Sequence, residues 1–532
     1  MDQSSIKNRI NRAEDFLLLC SQGGLARSYD VVTNVWCKPY PEVTGYLLSY
    51  FCEKHSVLPS QIIAAADYLL SIQSPTGGFR SFSNYSLLFT FDTFQIFHGL
   101  LSVYLKTKKV KYLEGSIRCL YFLESMQKPE GSMYCIYDAG KSLKLDEYNG
   151  FYQGSTKHSI QCKNIEGLLL AYNTIGDKRY EEMADRLYNV YINSDYNVST
   201  HPLGYYLEGL LAYGSVENVK ELLLKIVVPQ IKDNGFIPYS KGLPYAYVSG
   251  SIQLAILLYK TGLKEYSLRI LEWANKVQDN HKCGGLFQYA NEDGSLNNAV
   301  HTEINSWGTK YFCELNHIVL SDAAVEKKDK AELDFWERLY QDFVKGCENE
   351  ESKKQKCLDV SRNITFPRYK KDLCLEPGSF KGMKVLDVGC GPNGGLIGFE
   401  NCDKHGIDHL CDEYVKIGYP LHEHNIKYVN GKSESLPYDS DFFDAVVCVN
   451  ALDHVDSLDA SVGQISRVLK KGGQFLAQLN FRTKPTVCEP IVFDHNSLKT
   501  LFENHSMRIE EVKFQYSQSK SEDRYYYKVR KV

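Results

Sequence analysis

The pattern of apolar and polar residues divides the chain into two parts with different periodicities. Up to about residue 320, apolar residues recur at three- and four-residue spacing, which is typical of amphipathic helices. Beyond that point, short β-rich runs such as 383–390 and 442–450 alternate with helical stretches. The pattern predicts a helical domain over 1–320, a linker over 321–332 and an α/β domain over 333–532.

The helical part repeats a short phrase at the ends of its helices. A polar turn and a glycine follow Gln73, Gln127, Gln230 and Gln278, at intervals of about 50 residues or twice that. Such a period is typical of a helical-hairpin array. About twelve helices in six hairpins would close as an all-α (α/α)6 barrel with an inner and an outer ring. An irregular helical domain is the alternative.

Composition and charge narrow the classes of function. With 532 residues, two or more hydrophobic cores are expected, and a net charge of −4 gives no general reason to bind nucleic acid. No run of about 18 uncharged apolar residues predicts a membrane span. The sixteen cysteines are scattered without a metal-binding cluster, and the N-terminus lacks a secretory pattern. We therefore expect a cytoplasmic protein with no metal site, and the sequence does not indicate an oligomeric state.

A glycine turn follows the first predicted strand of the α/β domain. Gly389 and Gly391 allow the backbone to turn sharply and to approach a nucleotide-like ligand. Asp408, 19 residues beyond Gly389, ends the next predicted strand, where a carboxylate can accept hydrogen bonds from ribose hydroxyls. Further strand, loop and helix patterns follow in order at 430–438, 441–455 and 467–479.

Together these segments resemble the class I S-adenosylmethionine (SAM)-dependent methyltransferases. The motifs are DVGCGP, GID, GKSESLPY, FFDAVVCVNALDHV and LKKGGQFL, in that order. The resemblance implies a Rossmann-like fold, a methyltransferase activity and SAM as the cofactor. The cofactor-binding residues that it implies are Asp387, Gly389, Cys390 and Gly391 around the methionine part, Asp408 at the ribose, Ser433 and Glu434 by the adenine, and Asn450 near the sulfonium.

The same resemblance leaves the acceptor side of the reaction open. Because the sulfonium is already a good leaving group, positioning of the nucleophile supplies much of the rate enhancement. An O-methyltransferase gains from a nearby base, for which Asp453 and His454 are the candidates. A supporting role for His454 in the loop is the alternative. Many members also carry a third glycine where this chain has Asn393, which changes the expected loop.

Polar and aromatic residues gather where the inner helices of the predicted barrel begin. Carboxylates, histidines and flat aromatic faces are the groups that a carbohydrate site uses, since sugars offer hydroxyls and apolar ring faces. Thr44, Asp92 and Ser251 are also suitable helix N-caps. The residues expected at this rim are Glu42, Asp92, His158, His201, Glu303 and Trp307, with Tyr152, Tyr205 and Tyr247 nearby.

The helical part resembles the six-hairpin α/α toroids, which include glycosidases, sugar epimerases, lyases and terpenoid cyclases. The phrases PEVTGY, FDTFQ and THPLGYYLEGL are similar to helical domains encoded among bacterial surface-polysaccharide genes. This resemblance implies a glycan-related small-molecule substrate, with Glu42, Asp92, His201 and Glu303 as catalytic candidates. Cyclase chemistry is disfavoured because no D-x-D-D motif is present.

Two hypotheses from different classes follow. In the first, the barrel binds or modifies a saccharide or glycoconjugate and the C-terminal domain methylates it. In the second, the barrel is a non-catalytic binding or assembly module, and the methyl acceptor is a non-sugar small molecule or a lipid carrier.

Overall fold

The computed structural model describes residues 2–20, 24–81, 86–146, 158–486, 488–519 and 522–532. It divides into two units, Met1–Ser321 and Asp322–Val532. Residues 321–332, expected as a linker, lie within a helix, Ser306–Val344. The helix continues there because 322–343 contain neither glycine nor proline, the two residues that most disfavour a helix interior.

The first unit is mostly helical. Its helices, the last of which contains the boundary between the units, are α1 (Gln3–Leu19), α2 (Pro41–Lys54), α3 (Ser60–Ile72), α4 (Thr90–Thr107), α5 (Val110–Met126), α6 (Asn164–Ile175), α7 (Lys178–Tyr191), α8 (Thr200–Ala212), α9 (Val216–Leu222), α10 (Val248–Lys260), α11 (Lys264–Asp279) and α12 (Ser306–Val344). A 3₁₀ helix (His158–Lys163) precedes α6, and a π turn (Leu223–Val227) continues α9.

Short antiparallel strands connect these helices. They are β1 (Ser28–Asp30), β2 (Val35–Trp36), β3 (Leu87–Phe89), β4 (Ile136–Asp138), β5 (Leu143–Leu145), β6 (Tyr245–Tyr247), β7 (Leu286–Phe287), β8 (Tyr289–Asn291) and β9 (Glu303–Asn305). Several of them run directly into a helix: β3 into α4, β6 into α10 and β9 into α12.

Even- and odd-numbered helices bury their surfaces differently. Helix α10 buries twelve of its 13 residues, whereas α7 buries five of 14 on a single face. Each even helix from α2 to α8 contacts the next even helix, and each from α2 to α10 contacts the odd helix that follows it. The even helices therefore form the inside of this unit and the odd helices its outside.

The recurring glutamines link neighbouring odd helices. Each of three side-chain amides donates to a carbonyl in its own turn and to a carbonyl of the next odd helix. The inter-helix bonds run from Gln73 to Gly115 of α5, from Gln127 to Met183 of α7 and from Gln278 to Arg9 of α1, each at 3.0 Å. Gln230 differs, since it donates to Ile226 of its own helical segment.

The glycine that follows each repeated glutamine is required by the same contacts between odd helices. Gly77 and Gly284 have φ angles of +92° and +85°. A Cβ atom at either position would lie 2.0 or 2.2 Å from a carbonyl oxygen, that of Arg118 in α5 or Arg12 in α1. The repeat in the sequence is therefore a packing device between odd helices.

The expected N-caps are wrong at three positions. Thr44, Asp92 and Ser251 lie inside the first turns of α2, α4 and α10 rather than before them. These helices begin straight after extended residues, and the residues preceding them form no side-chain cap. The Asp92 carboxylate is consequently not used as a cap.

The second unit contains a seven-stranded mixed sheet. Its strands are β10 (Lys384–Val388), β11 (Asp403–Asp408), β12 (Lys427–Asn430), β13 (Phe443–Val449), β14 (Leu469–Arg482), β15 (Met507–Ser519) and β16 (Glu522–Lys531). Its further helices are α13 (Glu350–Val360), α14 (Phe366–Asp372), α15 (Cys411–Ile417), α16 (Leu458–Val468) and α17 (His495–Asn504).

The strand order is β12-β11-β10-β13-β14-β16-β15, in which β16 runs antiparallel to both of its neighbours. Strands β10 to β14 are parallel. Alternate residues of the central strands belong to different cores, so both faces of the sheet are covered; Val446 lies in one core and Val447 in the other. This confirms the predicted Rossmann-like region, and the carboxyl ends of its parallel strands meet at one edge.

No helix among the described residues is both long enough and apolar enough to span a bilayer.

Candidate functional site

The glycine turn after β10 is held close to the neighbouring strands. Gly389 and Gly391 have φ angles of +67° and +54°, which favour glycine. The Gly389 amide donates to the carbonyl of Ile407 in β11 (2.9 Å), and a Cβ atom at Gly389 would lie 2.2 Å from that of Ala451. The turn therefore exposes backbone where a larger residue could not fit.

Asp408 fixes this turn from the end of β11. One carboxylate oxygen accepts from the Gly391 amide (3.1 Å) and the other from the Leu410 amide (3.0 Å). Burial raises the pKa of Asp408, while the bond from Leu410 acts in the opposite direction. Each carboxylate oxygen has a further lone pair, so binding of a ribose hydroxyl is compatible with these bonds.

A cavity of about 840 Å³ opens at this edge of the sheet, and all of its lining residues belong to the second unit. Its volume lies within the range of small-molecule sites. The predicted residues that line it are Gly389, Cys390, Gly391, Asp408, Ser433, Glu434, Asn450 and His454. Asp387 and Asp453 are not among its lining residues.

Asp387 is buried in β10, and neither of its carboxylate oxygens has a partner at normal hydrogen-bond distance among the described residues. Burial raises its pKa well above the usual range, with the nearby Tyr369 hydroxyl acting in the opposite direction. An unpaired buried carboxyl group is costly, and a cationic ligand beside the turn would offset that cost. This property, with the glycine turn and Asp408, fits a cofactor that carries an amino group, a sulfonium and a ribose.

Ser433 and Glu434 fasten the loop after β12 to helix α16. A Glu434 carboxylate oxygen accepts from the amides of Asp456 (2.7 Å) and Ser457 (3.1 Å). The Ser433 hydroxyl lies 2.8 Å from that of Ser461. Both residues also line the cavity, so their bonds fix the position of the loop that forms this part of its wall.

Asn450 turns the chain at the end of β13. Its φ of +53° is left-handed, its amide donates to the Gln478 carbonyl (3.0 Å), and its side-chain oxygen accepts from Asn480. These bonds fix Asn450 at the end of β13, where it lines the cavity.

His454 lies among carboxylates at the same edge. Its Nδ1 is 3.8 Å from Glu332, and its Nε2 is 3.9 Å from both Asp453 and Glu489. Burial lowers its pKa, but Glu332, Asp453 and Glu489 together outweigh burial and raise the pKa above the usual range. His454 is therefore placed to accept a proton and to have the resulting charge stabilised.

Asp453 acts beneath His454 rather than in the cavity. It is buried and forms an ion pair with Arg482, whose other terminal nitrogen donates to Glu489 (2.9 Å). Ligand atoms of Asp453, His454 and Glu489 lie within 4.8 Å of one another, as in a metal site. Because Arg482 already supplies the positive charge to both carboxylates, we assign no metal there, and the absence of one stays a prediction.

The sequence did not reveal three cavity residues contributed by α12. Lys328 donates to the His454 carbonyl (2.8 Å), Glu332 faces the His454 ring, and Trp336 lies over the glycine turn beside Gly391. Phe335, Leu339 and Phe343 of the same helix also line the cavity. No local motif indicated that Lys328 and Glu332 would contact residues more than 100 positions away.

In the first unit, the structure brings part of the predicted rim together. The Tyr40 hydroxyl donates to Asp92 (3.1 Å), and the neighbouring Asp92 carboxylate adds to the burial that raises the pKa of Glu42. The His201 ring lies 4.5 Å from that of Tyr205 and 4.9 Å from that of Tyr247, measured between ring centroids.

Glu303 and the two histidines predicted at the rim have different surroundings. Glu303 is bound by Arg27 (3.1 Å) and Ser28 (2.8 Å), so its carboxylate is neutralised within its own sheet. His201 is hydrogen-bonded to Gln253, and burial lowers its pKa to about 4. The side chain of His158 and the whole of Tyr152 lie outside the described residues.

Comparison with known proteins identifies the region around the cavity. A family described as "Methyltransferase domain" matches residues 386–477. A sterol 24-C-methyltransferase of Neurospora crassa is 34% identical over 119 residues, 20% of this chain and 30% of that protein. The mitochondrial ubiquinone biosynthesis O-methyltransferase of Rattus norvegicus is 34% identical over 130 residues, 22% of this chain and 37% of that protein.

Among solved structures, one of a SAM-dependent methyltransferase from Methanosarcina mazei is 15% identical in sequence. The match covers 30% of this chain and 94% of that chain, with a TM-score of 0.24. The chain thus spans about a third of the length of the two curated relatives, and these matches cover 20% to 30% of this chain. The family match confirms that the C-terminal unit contains a methyltransferase domain that uses SAM. The acceptor and the role of the first unit are not indicated by it.

Proposed function

We propose that this protein transfers a methyl group from SAM to a hydroxyl group of a small molecule held in the cavity of the second unit. SAM, when bound, supplies a methyl group activated by a positive sulfur. Asp387, the glycine turn and Asp408 would hold the cofactor, and Asn450 would face its reactive part. The observation that carries the proposal is the convergence of eight predicted residues on one cavity.

His454 is the proposed general base. It borders the cavity, and the surrounding carboxylates stabilise its protonated form. If the His454 ring took a proton from an acceptor hydroxyl, its positive charge would be stabilised by Glu489 and Asp453, each 3.9 Å from Nε2. Asp453 and Glu332 act as positioning residues on either side of the ring.

The proposed acceptor is a saccharide or glycoconjugate that the first unit binds or modifies. In support, the first unit has inner and outer helices, and α11 is bonded to α1, as in a closed (α/α)6 toroid. The polar and aromatic residues predicted for a sugar site include Asp92, His201 and Tyr205, which lie near the starts of the inner helices.

A non-sugar or lipid-carrier acceptor is the second candidate. The cavity wall contributed by Phe335, Leu339, Phe343 and Ile364 is apolar, and half of the Phe335 surface and 62% of the Ile364 surface are exposed. The two curated relatives are named for a sterol and for ubiquinone biosynthesis. In this reading the first unit is a non-catalytic module.

Methyl-transfer assays on the full chain separate these readings. Release of S-adenosylhomocysteine would be followed with oligosaccharides in one series and with prenylated phenols in the other. Turnover with either class, reduced about 100-fold in His454→Ala, supports O-methylation by a general base. Turnover unaffected by His454→Ala would remove the base, and no turnover with any hydroxylated acceptor would remove the proposed reaction.

A further inference from the structure

We propose that the first unit contains a second binding site, for a neutral polyhydroxylated ligand, formed by Glu42, Asp92, Tyr46 and Trp307 near the starts of α2, α4 and α12. The inference gives a location to the saccharide role proposed above and rests on that role for the choice of ligand. It does not depend on methyl transfer in the second unit.

A pair of buried carboxyl groups forms the polar part of this site. Asp92 and Glu42 are 2% and 6% exposed, and neither takes part in an ion pair among the described residues. The Tyr40 hydroxyl donates to Asp92 (3.1 Å) and accepts from Ser81 (3.3 Å). Burial raises the pKa of both carboxyl groups, against the opposing bonds from Tyr40, which favours retention of a proton by the pair. Such a pair can donate to one hydroxyl and accept from another.

Aromatic side chains form the apolar part. The rings of Tyr46 and Tyr205 are nearly parallel, at 7°, with centroids 6.5 Å apart. Trp307 packs against the same cluster and contacts the Tyr40 ring edge-on at 5.7 Å. Flat faces of this kind pack against the C–H surfaces of a sugar ring.

Two polar atoms in this cluster lack partners. Among the described residues, the Trp307 indole nitrogen is buried without a hydrogen bond, and the Tyr46 hydroxyl, in a side chain only 5% exposed, has no partner at normal hydrogen-bond distance. A buried donor without a partner is destabilising, so a ligand that bonds to both atoms gains affinity. These two atoms indicate a ligand independently of the carboxyl pair.

Two lysines of the first unit, Lys310 and Lys163, are already paired with carboxylates, which favours a neutral ligand. Lys310, whose Nζ lies 5.4 Å from the centre of the Tyr46 ring, is bound to Glu314 at 2.7 Å. Lys163 is bound to Glu166 (2.6 Å) and Glu208 (3.3 Å). Because neither Glu42 nor Asp92 forms an ion pair among the described residues, a phosphate or carboxylate ligand would meet two carboxyl groups and is disfavoured.

The test is a titration of the full chain with maltotriose, cellotriose and chitotriose, followed by calorimetry and by saturation-transfer NMR. We expect at least one trisaccharide to bind at millimolar concentration or below. Tyr46→Phe removes the Tyr46 hydroxyl and keeps the ring. Trp307→Phe removes the indole nitrogen and keeps an aromatic side chain. Each substitution should weaken trisaccharide binding about 10-fold. Asp92→Asn should weaken it at least as much.

Tyr206→Phe is the matched control, because its buried hydroxyl is bonded to the Tyr191 carbonyl elsewhere in the same unit. Thermal melting checks that each variant is folded, and SAM binding is measured on the same samples. The proposal is overturned if no trisaccharide binds at about 10 mM. It is also overturned if Tyr46→Phe and Trp307→Phe bind as the unsubstituted chain and the control do. Because SAM binding is read separately, these results do not depend on the methyltransferase proposal.

Discussion

At the residue scale, the chemistry of His454 depends on groups from distant parts of the second unit. Glu332 comes from α12, Asp453 precedes it in the chain, and Glu489 follows β14. Only Asp453 could be associated with His454 from the sequence, because the other two are brought close by the packing of separate elements. The carboxylates raise the pKa of His454 although burial alone lowers it.

This arrangement makes a prediction about pH. A general base must be neutral, so kcat/KM should rise with pH through the pKa of His454. Glu332→Gln removes a carboxylate that favours the protonated ring, so the pKa falls and the rising limb moves to lower pH. The measurement is a pH profile of kcat/KM. Glu337→Gln, an exposed residue of the same helix, is the control and should leave the profile in place; a limb that stays fixed in Glu332→Gln contradicts the assignment.

At the element scale, the sequence located the strands well because buried parallel strands are short apolar runs that end in glycine or acidic residues. Strand β10, its glycine turn and Asp408 were all visible in this way. As N-caps, Asp92 and Ser251 would place the starts of α4 and α10 a few residues too late. Both helices begin directly after a strand, without a capping side chain. The role of the repeated glutamines was also hidden, because their partners lie in the next odd helix.

The loop between β12 and β13 gives a prediction at the same scale. Arg467 of α16 donates to the carbonyls of Tyr438 (2.7 Å) and Leu436 (2.8 Å), which ties this loop to the helix. Arg467→Ala leaves both carbonyls without that donor, so we expect a loss of about 1–3 kcal/mol in the free energy of unfolding. The affinity for SAM should also fall, because the loop carries Ser433 and Glu434.

Urea denaturation and a SAM titration measure the two effects. Lys471→Ala, which removes an exposed cation just beyond the end of the same helix, is the control and should change neither. Unchanged stability and affinity in Arg467→Ala would show that the loop keeps its position without the arginine.

At the scale of the whole molecule, the two units have separate hydrophobic cores. A large core within residues 6–319 and two smaller clusters belong to the first unit, and three further cores belong to the second unit. We therefore expect two transitions in calorimetry of the full chain. SAM at 100 times its Kd adds about 2.7 kcal/mol of stability to the unit that binds it. For a unit of this size the shift is roughly 5–10 °C.

Only the transition of the second unit should move when SAM is added. The two transitions are assigned with Val447→Ala, which weakens the core of the second unit, and Leu207→Ala, which weakens that of the first. A shift of both transitions by similar amounts, or of the one weakened by Leu207→Ala, would contradict the placement of the cofactor site.

The most direct test of the account is a calorimetric titration of the full chain with SAM, repeated with Asp408→Ala and with Asp412→Ala as an exposed control from the following helix. One SAM per chain should bind, with an affinity reduced about 10- to 100-fold in Asp408→Ala, as expected when hydrogen bonds to a charged group are lost. The control should bind as the unsubstituted chain does. An absence of binding at millimolar SAM, or equal binding in Asp408→Ala, would contradict the central claim.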